Sequence, residues 1–382
     1  MVAVALLTVG GGIWFLFRPE PPPTAVRTVT WTPQPDSFPL GTAQVGSTFE
    51  LSLGIFSDQK TPPDPPWTAQ LPKLVKGRVE QWLNFRRTLA VRRQWRCTVD
   101  APDFLQIRRQ EWMNHSYHGA FASVWLTASA TRPGTNAGSI KVTLQADGYE
   151  PKTLEIPVHL RVVDRPARGS VLITSSPFDR FATENGRDFE PLGNISTWLA
   201  ENGVRVDYLE NLPRRLDEWQ VLLLGTDALV NLDEAGRRRV QEFVRRGGRL
   251  VLSADAFFVG TTASANRVLQ PFGLSLGSRD AGMGLTANRV LPDPLTAGVG
   301  SLEFWRPTCI AVTDPSQGRL LATTSDNPQC GFLAVSREKG RGEIVVLAQS
   351  LWSYWIRPDN GAHQAQVLQQ LLLPPPRDNS VK

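Results

Sequence analysis

Residues 221–253 read VLLLGTDALVNLDEAGRRRVQEFVRRGGRLVLS, and this stretch decides the fold class of the second half of the chain. Val221-Leu222-Leu223-Leu224-Gly225 is a short unbroken apolar run, the pattern of a strand covered on both faces. Asp233 to Arg246 follows with Val240, Phe243 and Val244 on one side at helical spacing, and Gly247-Gly248 stops it. Arg249-Leu250-Val251-Leu252-Ser253 then returns to strand character. Working outward, Ser170–Thr174 reads as a strand, Asn194 to Asn202 as a helix closed by Gly203, and Val204–Tyr208 as another strand. Later strands are expected at Ile310–Thr313, Leu320–Thr323, Phe332–Ser336 and Gly342–Ala348, with a closing helix from Gly361 to Leu373 before three prolines. Apolar strands alternating with helices predict an α/β domain over 170–373 with a mostly parallel sheet, followed by a tail at 374–382.

Before that domain, residues 45–163 carry a period of two. Thr48–Leu53, Arg96–Val99, Ser123–Thr127, Ile140–Leu144 and Leu154–Val163 alternate apolar with polar residues between turn signals such as Pro133-Gly134 and Asp147-Gly148. That pattern predicts an antiparallel β-sandwich, interrupted by a basic insertion at 60–95 and joined to the α/β domain by a linker at 164–169. Residues 19–44 hold prolines at 19, 21, 22, 23, 33, 35 and 39, a density that predicts an extended stalk. Residues 1–17 carry no charged side chain and stop at Arg18-Pro19. The run reads as one membrane-spanning anchor over 1–18, with Trp14, Phe15 and Phe17 near an interface and Arg18 reaching for it. No cysteine follows it, which excludes a lipid-modified terminus. Gly10-Gly11-Gly12 suits close packing against another membrane helix and equally suits lipid exposure.

Two resemblances follow from quoted residues. Leu126 to Val163, ending in Ile-Pro-Val-His-Leu-Arg-Val-Val, resembles bacterial extracytoplasmic immunoglobulin-like modules, which implies a sandwich outside the cytoplasm. Residues 221–227, 245–252, Pro294-Leu-Thr-Ala-Gly-Val299, 340–352 and Asp359-Asn360 together resemble the class I glutamine-amidotransferase-like superfamily, in its membrane-associated branch with a flavodoxin-like sheet. The resemblance implies a nucleophilic cysteine at the turn after Leu250–Ser253, with a histidine and a carboxylate near the last strand. Here that turn reads Ser253-Ala254-Asp255-Ala256, and His363 is the one histidine after residue 164. A domain without thiolate or base is expected to be non-catalytic.

Chemistry-bearing residues are few. The 382 residues include three cysteines and four histidines, and 41 Lys+Arg against 36 Asp+Glu give +5, an excess too mild to call for nucleic acid. Ser253, Asp255 and His363 are read as a strand end, a turn cap and a polar helix start. His115 and His118 are read as a loop pair without a metal. Cys309 and Cys330 suit a disulfide in an oxidising space and equally two unpaired buried thiols, with Cys97 left free. The strongest surface signal is Lys73, Lys76, Arg78, Arg86, Arg87, Arg92, Arg93 and Arg96, interleaved with Trp82, Phe85 and Trp95. This patch suits anionic lipid headgroups or an acidic protein face, and equally a solvated insertion around its own small core. The expectation is a membrane-anchored, periplasmic accessory protein that binds a larger integral membrane protein complex, with no cofactor, no metal, no nucleic acid and no small-molecule substrate. The alternative is a sensor or transport auxiliary holding a small ligand or glycan in the crevice at the strand ends.

Overall fold

A computed structural model describes residues 28–34, 36–57, 95–113, 122–164, 168–174, 183–184, 187–188, 193–209, 211–254, 261–304, 306–337, 342–349 and 362–374. The first half consists of β1 (Trp31–Gln34), β2 (Phe38–Gln44), β3 (Thr48–Ser57), β4 (Arg96–Asp100), β5 (Leu105–Met113), β6 (Ala122–Ala130), β7 (Gly134–Gln145) and β8 (Lys152–Val163). They form two four-stranded sheets, ordered β1-β3-β6-β5 and β2-β8-β7-β4. Alternation does the packing: along β8, Leu154, Ile156, Val158, Leu160 and Val162 are buried while their neighbours face solvent. Phe49, Leu51, Leu53 and Ile55 of β3 supply a matching row from the other sheet, within one apolar cluster.

The second half consists of β9 (Gly169–Thr174), β10 (Thr183–Glu184), β11 (Arg187–Asp188), α1 (Gly193–Glu201), β12 (Val204–Tyr208), β13 (Val221–Leu224), α2 (Thr226–Val230), α3 (Glu234–Arg245), β14 (Arg249–Ser253) and α4 (Thr261–Leu269). There follow β15 (Leu274–Asp280), β16 (Leu285–Ala287), β17 (Arg289–Val290), β18 (Leu302–Phe304), β19 (Thr308–Val312), β20 (Gly318–Thr323), β21 (Gly331–Arg337), β22 (Glu343–Leu347) and α5 (Ala362–Leu372). The main sheet has ten strands, its longest path running β12-β9-β13-β14-β22-β21-β19-β15. Helix α3 shows how local sequence sets an element. Asp233 caps it by accepting from the Gly236 N–H at 2.6 Å, and Gly236, Val240, Phe243 and Val244 form its buried stripe. Gly247, at φ +100°, ends it: its N–H donates to Val244 O, and the Gly248 N–H donates to Phe243 O.

Four expectations are corrected. The α/β sheet is mixed rather than mostly parallel and flavodoxin-like. β12, β9, β13, β14 and β22 pair in parallel, but β21, β20, β19, β17 and β15 join antiparallel. The physical reason is connection length: only residues 313–317, 324–330 and 338–342 link the strands from β19 to β22, too few for a crossover. Nor is the first half a purely antiparallel immunoglobulin-like sandwich, because β2 runs parallel to β8. The expected stalk becomes sheet from Trp31 onward: Pro33 and Pro39 sit in β1 and β2, each at the edge of its sheet, where a missing N–H is tolerated. The single-pass membrane helix is likewise not found. Among the described residues no helix is long and apolar enough to cross a membrane, and α3, at twelve residues, is the longest. The run at 1–18, with Trp14, Phe15, Phe17 and Arg18, lies outside the described residues.

The halves pack through α1, β2, β3 and β12. The Thr42 N–H donates to Thr197 Oγ1 at 3.1 Å, Gln44 Nε2 donates to Ala200 O at 3.4 Å, and the Thr48 N–H donates to Asp207 Oδ1 at 2.8 Å. Asp207, on β12, is almost fully buried and also accepts from Trp219 Nε1 at 2.7 Å and Arg205 Nε at 3.0 Å. Burial pushes its carboxyl up, and Arg205, Trp219 and Thr48 oppose that shift without cancelling it.

Candidate functional site

The carboxyl ends of parallel strands are where an open α/β sheet exposes a ligand crevice, and Ser253 is the last residue of β14. Its side chain is fully buried, and its hydroxyl donates to Gln349 O at 2.7 Å, just past the end of β22. The bond ties two adjacent strand ends together. Among the described residues the Ser253 hydroxyl is bonded to that carbonyl and to no side-chain base. His363 lies in the first turn of α5 and is exposed. Arg249, at the opposite end of β14, donates to the carbonyls of Gln370, Leu371 and Leu373, which fixes the far end of α5 at the amino edge of the sheet. Ser253 and His363 therefore lie toward one edge, one sealed in the core and the other in solvent. Asp255 lies outside the described residues, as do His115 and His118.

The three cysteines are accounted for. Cys309, in β19, is bonded to Cys330, next to β21, with a Cα–Cα separation of 4.9 Å. Cys97 is free, and burial pushes its thiol up to about 12, so it stays protonated at neutral pH. Among the described residues no group of three or more histidine, cysteine, aspartate or glutamate side chains is arranged to hold a metal ion.

Of the basic patch, Lys73, Lys76, Arg78, Trp82, Arg86, Arg87, Arg92 and Arg93 lie outside the described residues. Trp95 is buried against Trp31, ring centroids 4.7 Å apart and nearly perpendicular, and against Tyr149 at 5.0 Å. Arg96 opens β4 and is exposed.

Charge concentrates instead at the amino edge of the main sheet. Asp293, with no exposed side-chain surface, accepts two hydrogen bonds from Arg337, at 2.7 and 2.9 Å, one from Arg319, and one from the Leu295 N–H at 2.9 Å. Glu343 accepts from Arg249 at 2.6 Å and from Arg337 at 2.7 Å. Burial alone would raise the Asp293 carboxyl, but the Arg337 guanidinium, the Leu295 amide and Arg319 prevail and hold it at about 2. An open cleft of about 790 Å³ runs along residues 290–300 beside this cluster. The sequence signal was Asp293-Pro294 followed by two arginines on later strands, and nothing local tied them together.

No protein-family model matches the chain, and no curated protein matches it. Solved structures with some likeness include an endo-fucoidan hydrolase of glycoside hydrolase family 107, 9% identical, with a TM-score of 0.18. That match covers 85% of this chain and 29% of the hydrolase chain, and a score so low carries no argument about fold or activity.

Proposed function

We propose that the protein is a non-catalytic, extracytoplasmic accessory protein that binds and stabilises a larger membrane protein complex. The observation that carries the reading is Ser253. At the turn where enzymes of the amidotransferase-like superfamily present their nucleophile, this chain has a buried hydroxyl bonded to a main-chain carbonyl. The protonated Cys97 thiol points the same way, and the Cys309–Cys330 bridge supports an oxidising compartment. Two sheet-rich halves joined by partly buried hydrogen bonds suit a rigid spacer between partners.

The test is isolation of the tagged chain from native membranes under mild extraction. Co-migration with a defined set of membrane proteins is expected, and a chain that runs alone as a monomer overturns the reading. A second reading, small-ligand binding, has the cleft along residues 290–300 in its favour. A metabolite that raises the melting temperature of the wild type but not of a variant with that loop shortened would establish it.

A further inference from the structure

Six arginines line one cleft on the outer surface of the second half. Arg214 and Arg215 come from the segment before β13, Arg238, Arg239 and Arg245 from α3, and Arg246 from its C-cap; the lining is completed by Leu216, Asp217, Gln241 and Glu242 around about 650 Å³. Six cationic and two anionic side chains leave this one cleft with most of the chain's net charge of +5. Some of that charge is answered internally. Arg215 donates to Asp217 at 2.6 Å, Arg238 pairs with Glu234, and Arg246 lies 3.8 Å from Glu242. Arg214, Arg239 and Arg245 form no ion pair among the described residues, and Arg239 Nε is buried with no hydrogen-bond partner. Arg214 and Arg245 are exposed, so their guanidinium donors can meet an incoming oxyanion.

We infer that this cleft binds an acidic segment of a partner protein. Spacing argues for a linear ligand: Arg238 and Arg245, like Arg239 and Arg246, are seven residues apart on α3, about 10 Å along its axis. Carboxylates at every third residue of a chain in the extended polyproline conformation lie on one face and repeat at about 9 Å, close to that interval. A single phosphate would leave half the row unanswered. Among the described residues no aromatic ring lines the cleft for sugars or bases to stack on. The disulfide speaks against a compartment containing nucleic acid. Arginine rather than lysine throughout suits bidentate pairing with carboxylates. The inference deepens the accessory reading and rests on it only in taking the occupant to be a protein.

The test uses the full chain and fluorescence anisotropy of a labelled peptide carrying aspartate at every third position. Wild-type protein is expected to bind it, with affinity falling about tenfold as ionic strength rises from about 0.05 to 0.3 M. Combined Arg214→Gln, Arg239→Gln and Arg245→Gln substitutions, none of which breaks an ion pair among the described residues, should weaken binding at least roughly 30-fold while the melting curve stays in place. Arg239→Lys alone, which keeps charge but loses the fork, should weaken it several-fold, and Arg109→Gln on β5 should leave it unchanged. Equal binding by wild type and triple variant, no binding at all, or preferential binding of inorganic phosphate, polygalacturonate or single-stranded DNA overturns the inference. The two readings fail separately. If the triple variant co-isolates with the same membrane proteins at the same yield, the cleft is not the contact although the accessory reading stands. A chain that binds the peptide but forms no assembly removes the accessory reading and leaves the cleft as an acidic-peptide site.

Discussion

Asp293 has no exposed side-chain surface, and two arginines hold it ionised at about 2. Its folded-state value lies below the ordinary carboxylate value, so its contribution is fully present above about pH 4 and is lost as pH falls toward 2. Urea midpoints measured down the acid limb should therefore fall steeply for wild type and less steeply for Asp293→Asn. At neutral pH the same variant should be less stable by about 2–4 kcal/mol, because Arg319 and Arg337 lose the carboxylate charge between them, Arg337 keeping only Glu343. Asp207 behaves oppositely. Burial raises its carboxyl, so the folded state binds the proton more tightly, and stability declines as pH rises from the ordinary carboxylate value through the raised one.

At the scale of elements, the contact between α3 and the entry to β22 has no slack. The Gly342 N–H donates to Val244 O at 3.0 Å, and a Cβ at Gly342 would meet the carbonyl oxygen of Gly248 and the backbone of Val244 and Gly247. Backbone cannot swing aside as a side chain can, so Gly342→Ala should cost about 3 kcal/mol or more, read from the denaturant midpoint. Strands β19 and β21 meet through one backbone register pair and the Cys309–Cys330 bridge, whose cysteines are 21 residues apart in sequence. Paired Cys309→Ser and Cys330→Ser substitutions should lower stability by about 3 kcal/mol, and reductant should lower the wild-type melting temperature toward the variant's.

For the whole molecule, the question is whether the halves unfold together. Asp207 belongs to the second half, yet it accepts the Thr48 N–H from the first, alongside the indole of Trp219 and the guanidinium of Arg205. Asp207→Ala leaves those donors without an acceptor and should destabilise by about 2–4 kcal/mol. Because one donor lies across the interface, calorimetry should show one transition for the wild type and two for the variant, the earlier one carrying the second half. A variant that merely shifts one undivided transition would mean the interface rests on α1 and its contacts to Thr42 and Gln44 instead.

The local pattern was enough for α3, whose cap, stripe and terminating glycine all lie within fifteen residues, and for the buried strands β9, β13 and β14, whose apolar runs need no partner to be recognised. It also separated Cys97 from the other two cysteines without deciding their pairing. Strand direction was decided only by the tertiary structure, because direction belongs to a pair: β19 to β22 look like parallel strands one at a time and become antiparallel through their short connections. The same holds for Pro33 and Pro39, which read as stalk until an edge position gives each missing N–H nothing to lose, and for Trp95, which suited an interface and a small core of its own insertion equally until Trp31 and Tyr149 closed over it. Composition along the chain reports what each residue prefers, whereas neighbours distant in sequence determine which of those preferences is met.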